Sequence, residues 1–171
     1  MNADLALFVL RVVVGGVVMQ HGLLKMGVVG QGGSIAGVAG WFNGMGLRPG
    51  MFWALVATAA EALGGLLMVI GLGGPLGSGI VTGDMIVVTI VAHVPQGFWA
   101  GGGKVGWEFP LPIVAAAFAV ALLGNGGWSV DTALGLGYSD QLRWSWLAIV
   151  AVGTVAALAA RAMFAPKKAT A

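Results

Sequence analysis

Apolar residues in this chain do not alternate with polar ones; they gather in long blocks. A helix needs about 20 apolar residues to cross roughly 30 Å of hydrocarbon. The first block of that kind is 5–24, which contains Arg11 and His21. The second is 51–72, with Glu61, and the third is 77–94, with Asp84 and His93. Block 109–124 is shorter. Its Pro110 and Pro112 suit a helix start, where a missing N–H costs little. The last is 144–164, whose Arg161 can snorkel from the helix end. Between the first two blocks lies the Gly-rich stretch 27–50. Its segment 34–43 is too short to cross, so an interfacial or re-entrant helix is expected there. The start, Met1-Asn2-Ala3-Asp4, has no basic run, so the first block reads as an uncleaved helix and not a signal peptide.

Composition sharpens this reading. Charged residues make up 8% of the 171, against about a quarter in soluble domains. Such a chain cannot keep a soluble surface wet. A soluble globular enzyme, a disordered tail and a nucleic-acid reader are therefore excluded, and the lipid bilayer is the first expected partner. With no Cys, the chain itself can build no disulfide, thiolate site or Cys-based metal centre. The many glycines sit among apolar residues, as in closely packed membrane helices. The expected fold class is all-α, an integral membrane helical bundle.

Five crossings put the termini on opposite sides. Lys25, Arg48, Lys104, Arg161, Lys167 and Lys168 then share one side, and Arg143 stands on the other. The positive side is expected to be cytoplasmic, with the N-terminus outside and the C-terminus inside a plasma membrane. Trp agrees: Trp41, Trp53, Trp99 and Trp107 fall near inner ends, and Trp128, Trp144 and Trp146 near outer ones.

Ionisable groups at bilayer depth are costly, about 2.5–3.5 kcal/mol each on the insertion scale. Counting from the inner ends of the blocks places Arg11, Glu61 and Asp84 at a similar depth. They are expected to form one buried cluster, with Arg11 paired to Glu61 through the guanidinium fork. Asp84 then joins them or holds a proton. On a straight helix the nine residues from Asp84 to His93 amount to half a turn, so both face the core only if that helix is surrounded or bent. A second group gathers at the inner surface. His21, Lys25 and His93 end their helices, and Glu108 follows the Gly101-Gly102-Gly103 turn. These four are the candidate ligand-binding residues. The bland alternative is that each His caps a helix or meets headgroups; haem or metal ligation ranks behind both, and no metal ligand is assigned.

These residues resemble a family pattern. Arg11 in the first helix, with Gln20-His21-Gly22-Leu23-Leu24-Lys25 at its end, is similar to an Arg-containing helix closing in HGxxK. Glu61-Ala62-Leu63-Gly64-Gly65-Leu66-Leu67 is similar to an E-x-x-GG-L helix. The stretch from Met85 to His93, the Gly101–Gly103 turn with Glu108, and Leu122-Leu123-Gly124-Asn125-Gly126-Gly127-Trp128-Ser129-Val130-Asp131 follow in order. Together they resemble the DoxX family of small bacterial and archaeal membrane proteins. Asn125 stands where the pattern has Pro, and 144–164 lies beyond the four-helix core. The resemblance implies a core over 5–135, an additional span over 144–164 and a cytoplasmic tail over 165–171.

The resemblance also implies a membrane subunit of an oxidoreductase complex, linked to quinone or quinol or to thiol and oxidative stress, with other redox subunits as partners. In that role it is an accessory more than a catalyst, and it can form a homo-oligomer. A small-solute or proton transporter subunit is the second reading, and a non-catalytic anchor or assembly protein the third.

Overall fold

A computed structural model describes residues 3–165. Of the expected tail 165–171, all but Ala165, including Lys167 and Lys168, lies outside the described residues. Regular structure among them is helical: α1 Ala3–Lys25, α2 Ile35–Gly44, α3 Gly50–Ile70, α4 Leu76–Gln96, α5 Pro110–Leu123, α6 Val130–Ala133 and α7 Asp140–Phe164. Helices α1, α3, α4 and α7 are long and apolar enough to cross a membrane. At 14 residues, α5 is about 21 Å long. It still runs from one end of the bundle to the other: Arg143 at the start of α7 donates to Leu122 O (3.0 Å), and the Gly127 N–H after α5 donates to Asp4 (2.6 Å). The expected all-helical membrane bundle is therefore the fold, and the chain is a multi-pass membrane protein. Helix α6, one turn capped by Ser129, was not expected.

Small residues set the spacing of the helices. A Cβ on Gly22 would lie 2.5 Å from the Ala62 backbone, and one on Gly65 would lie 2.7 Å from the backbone of Gly15 and Met19. Helices α1 and α3 thus touch backbone to backbone over two turns, as small residues permit. Gly77 meets the Leu67–Met68 backbone in the same way and joins α4 to α3. The last helix, α7, lies on α4 where Gly79 and Gly83 face Leu147, Val150 and Thr154. Only 6% of its apolar window is buried, so it is a peripheral helix attached to the other crossings by one stripe. The segment at 34–43 does form a helix, α2, whose Ser34 cap accepts from Gly37 N–H (3.1 Å). It folds back against α3: Ala39 and Phe42 share a buried cluster with Ala54 and Ala57, and Asn43 accepts the Gly50 N–H (2.8 Å).

A polar clasp closes the end of the bundle where α3 finishes. Helix α3 ends at Gly71 in the left-handed conformation (φ 68°), which glycine adopts without steric cost. Asp131 accepts from the N–H groups of Gly73 and Gly74 (2.8 Å each), Asn125 Nδ2 (2.8 Å) and the Tyr138 hydroxyl (2.9 Å). Asn125 also donates to Gly74 O (2.9 Å), a bond that a proline at this position could not make. Burial pushes the Asp131 carboxyl up, but these four hydrogen bonds outweigh it and hold the group below the usual carboxylate range.

Asp131 should therefore be the main acid-sensitive anchor of the loops. Its folded value lies below the unfolded one, so its stabilisation is complete above about pH 4 and is lost as pH falls through the lowered folded value. Asp131→Ala should cost on the order of 3 kcal/mol at neutral pH and flatten this acid dependence, read as thermal unfolding in detergent between pH 3 and 7.

Candidate functional site

Three of the crossings contain a π-helical turn, and each includes a polar residue: Arg11–Gly15, Ala60–Gly64 with Glu61, and Thr89–His93. Such wide turns are rare and frequent at functional sites. The third one matters for geometry. Nine residues of ordinary helix turn through about 900°, which puts Asp84 and His93 on opposite faces. The wide turn absorbs about one extra residue, which reduces the difference to about 80°. Both side chains then line one cavity. This is the bend that a common face for the two residues required.

The cavity has a volume of about 910 Å³ and lies between α1, α2, α3, α4 and α7, with Phe109, Pro110 and Ile113 from the start of α5. Most of its wall is apolar or aromatic, with Trp41, Phe42, Phe52 and Trp53 on the α2–α3 side. Trp41 and Phe52 are exposed, so the cavity opens there. Its polar groups are His21, Lys25, Glu61, Asp84, His93 and Thr154.

Arg11 does not reach Glu61. It is fully buried at the end of α3, donating through Nη1 to Val69 O (3.2 Å) and Met68 O (3.5 Å) and through Nη2 to Trp128 O. Met68 and Val69 belong to the last turn of α3, whose carbonyls lack helical partners and carry the negative end of the dipole. A guanidinium placed there needs no carboxylate. Helix register explains the difference. Gly22 faces Ala62, so Glu61 is level with the last turn of α1, while Arg11 is level with the end of α3. The first turns of α3 run past α1 and pack on α2. In addition, side chains lean toward their own helix N-terminus, so in these antiparallel helices Arg11 and Glu61 lean apart.

Lys25 is the partner of Glu61 instead: Nζ lies 2.5 Å from Oε1, with both side chains largely buried. Asp84 does share the level of Glu61, because Gly64 faces Ile80 and Gly77 faces Leu67. It lies near enough for the charges of Glu61 and Lys25 to act on it. Two acids therefore face one lysine. Glu61 Oε2 and Asp84 Oδ2 are buried without a hydrogen-bond partner.

His93 Nδ1 lies 2.8 Å from Val105 O. A carbonyl only accepts, so Nδ1 carries the proton and neutral His93 offers Nε2 as an acceptor. Glu108 is not on the cavity wall. Its Oε1 accepts the Ala100 N–H (2.6 Å) and, with Gln96 bonded to Val105 N–H (3.0 Å), pins the Gly-rich hairpin after α4. Of the four candidate ligand-binding residues, the structure thus brings His21, Lys25 and His93 to one cavity and puts Glu108 behind it. Among the described residues, no three His, Asp or Glu side chains gather as a metal site. The sequence reading missed the Lys25–Glu61 pair, the aromatic wall, and the roles of Asn125 and Asp131. Gly22 was the available signal for the pair, because a glycine one turn before the helix end marks where a neighbour comes close.

A protein-family model of DoxX matches residues 6–94, more than half of the chain. The match contains Arg11, His21, Lys25, Glu61, Asp84 and His93, and stops before Glu108 and α7. No curated protein and no solved structure matches the chain.

Lys25→Met should destabilise by about 3–5 kcal/mol, because it leaves the Glu61 carboxylate buried and unpaired. Lys25→Met combined with Glu61→Met should recover most of that loss. Thermal unfolding of the three proteins in one detergent checks this; equal melting of the single and double variants would show that the two side chains do not act as a pair.

Proposed function

The chain belongs to the DoxX family, and on that ground we propose that it is a membrane subunit of an oxidoreductase assembly whose cavity receives a quinone or quinol head group. One observation carries the reading: an apolar, aromatic-walled cavity of about 910 Å³ ends in the Lys25–Glu61–Asp84 group. That volume lies in the range of small-molecule sites, and an apolar wall with a few convergent polar groups suits a ring with an isoprenoid tail. A quinone bound there would supply two-electron, two-proton chemistry to partner subunits. The chain's own residues do the rest. Lys25, His21 and His93 orient the head-group oxygens, Asp84 holds an exchangeable proton beside them, and the aromatic wall excludes water. No redox centre is part of this role, which makes the chain an accessory and not the catalyst.

The proposed orientation in the cell membrane has the N-terminus outside. Lys25, Arg48, Lys104 and Arg161 all sit at the end of the bundle where α1, α4 and α7 finish and α3 begins, while Arg143 is at the opposite end beside Asp140 (3.5 Å). Basic residues collect on the cytoplasmic side.

Two measurements test the reading. Decylubiquinone should quench the tryptophan fluorescence of the detergent-solubilised protein saturably, and the Lys25→Met/Glu61→Met double variant should lose the saturable part. Quenching that rises linearly in both proteins, as partition into micelles would give, overturns the site. A reporter fused after Ala171 should be active in the cytoplasm; activity only on the outer side reverses the orientation.

A further inference from the structure

Two carboxyl oxygens of the cavity are left without partners, and the one on Glu61 belongs to an ion pair. Glu61 is 4% exposed. Its Oε1 is held by Lys25 Nζ at 2.5 Å, and its Oε2 is buried with no hydrogen bond. As the carboxylate partner of that ammonium, the group only accepts hydrogen bonds. Asp84 presents a second buried oxygen, Oδ2, also without a partner. His93 donates through Nδ1 to Val105, so in its neutral form it presents Nε2 as a third acceptor on the same wall. A ligand whose oxygens are carbonyls could accept from Lys25 but would leave Glu61 Oε2 unpaired in an apolar site. A hydroxyl both donates and accepts. It can satisfy Oε2 while taking a bond from one of the remaining N–H groups of Lys25.

We infer that the cavity selects the reduced, hydroxyl-bearing form of its ligand, a quinol over the corresponding quinone, through the unpartnered carboxylate oxygen of Glu61. This rests on the proposed head-group site and specifies which redox form the site holds. Glu61 is the specificity-determining residue, and Lys25 acts through it as a positioning residue. Tighter binding of the quinol draws the ligand's redox equilibrium toward the reduced state, so the occupied site favours reduction of quinone over oxidation of quinol.

The experiment compares the two forms of one ligand under anaerobic conditions. Decylubiquinol, kept reduced, and decylubiquinone are titrated into the whole solubilised protein by calorimetry at neutral pH. The quinol should bind roughly tenfold tighter or more, the scale set by one unpaired buried acceptor. In Glu61→Gln the amide can turn an N–H₂ donor into the cavity, so the preference should shrink or invert toward the quinone. Asp84→Asn, which leaves Glu61 and Lys25 in place, should keep a preference for the quinol. Equal affinity of the two forms in the wild-type protein overturns the inference and leaves the head-group site standing. Binding of neither form overturns the site itself. Should Glu61→Gln fail to fold, the wild-type comparison and Asp84→Asn still decide: a quinol preference that Asp84→Asn abolishes would assign the selectivity to Asp84 and overturn the role given to Glu61.

Discussion

The backbone contact between α1 and α3 fixes the rest of the molecule. Where Gly22 meets Ala62 and Gly15 meets Gly65, no other side chain leaves room, so the two helices have one register. That register puts Lys25 opposite Glu61 and carries Arg11 up to the end of α3. Gly77 against Leu67–Met68 extends the same frame to α4 and brings Asp84 to the level of Glu61. Any slip of one helix turn, about 5.4 Å, would separate the lysine from its acid and leave both charges buried and alone. Placement of the charges thus follows from glycine packing, and the ion pair in turn penalises every other register.

The two ends of the bundle treat charge in opposite ways. At the end where α3 finishes most demands are met: Arg11 Nη1 serves the open carbonyls of α3, its buried Nε alone lacking a partner, and Asp131 is surrounded by four donors. Networks satisfied in this way rigidify. At the cavity the demands are left open, with one lysine between two acids and two oxygens unpartnered. A buried acceptor without a donor is expensive, and such a group persists where a ligand supplies what the protein withholds.

Much of this was legible in the sequence. Apolar blocks gave the crossings within a few residues, because the length of a span is a property of the bilayer and leaves a plain mark. The short helix in the first loop was legible from its length, too short to cross. His21, Lys25 and His93 line one cavity, and the sequence signal for that is their shared depth, since each stands at the final turn of its helix. Depth failed for Arg11, because counting from block ends assumes that helices start level, and α3 starts deep in the α2 hairpin. Pairing by opposite charge also overlooked the carbonyls at the end of α3, which have no signature of their own. The π-helical turns were invisible to a straight-helix count, and with them the reason that Asp84 and His93 share a wall.

Helix α7 has a bearing on how firmly the cavity is walled. It supplies Val150, Gly153, Thr154, Ala156 and Ala157 to the cavity wall and touches the bundle along the stripe at Gly79 and Gly83. A Cβ on Gly83 would lie 2.6 Å from Thr154 Oγ1, so one side of the chamber hangs on a seam that a single added methyl group would pry apart.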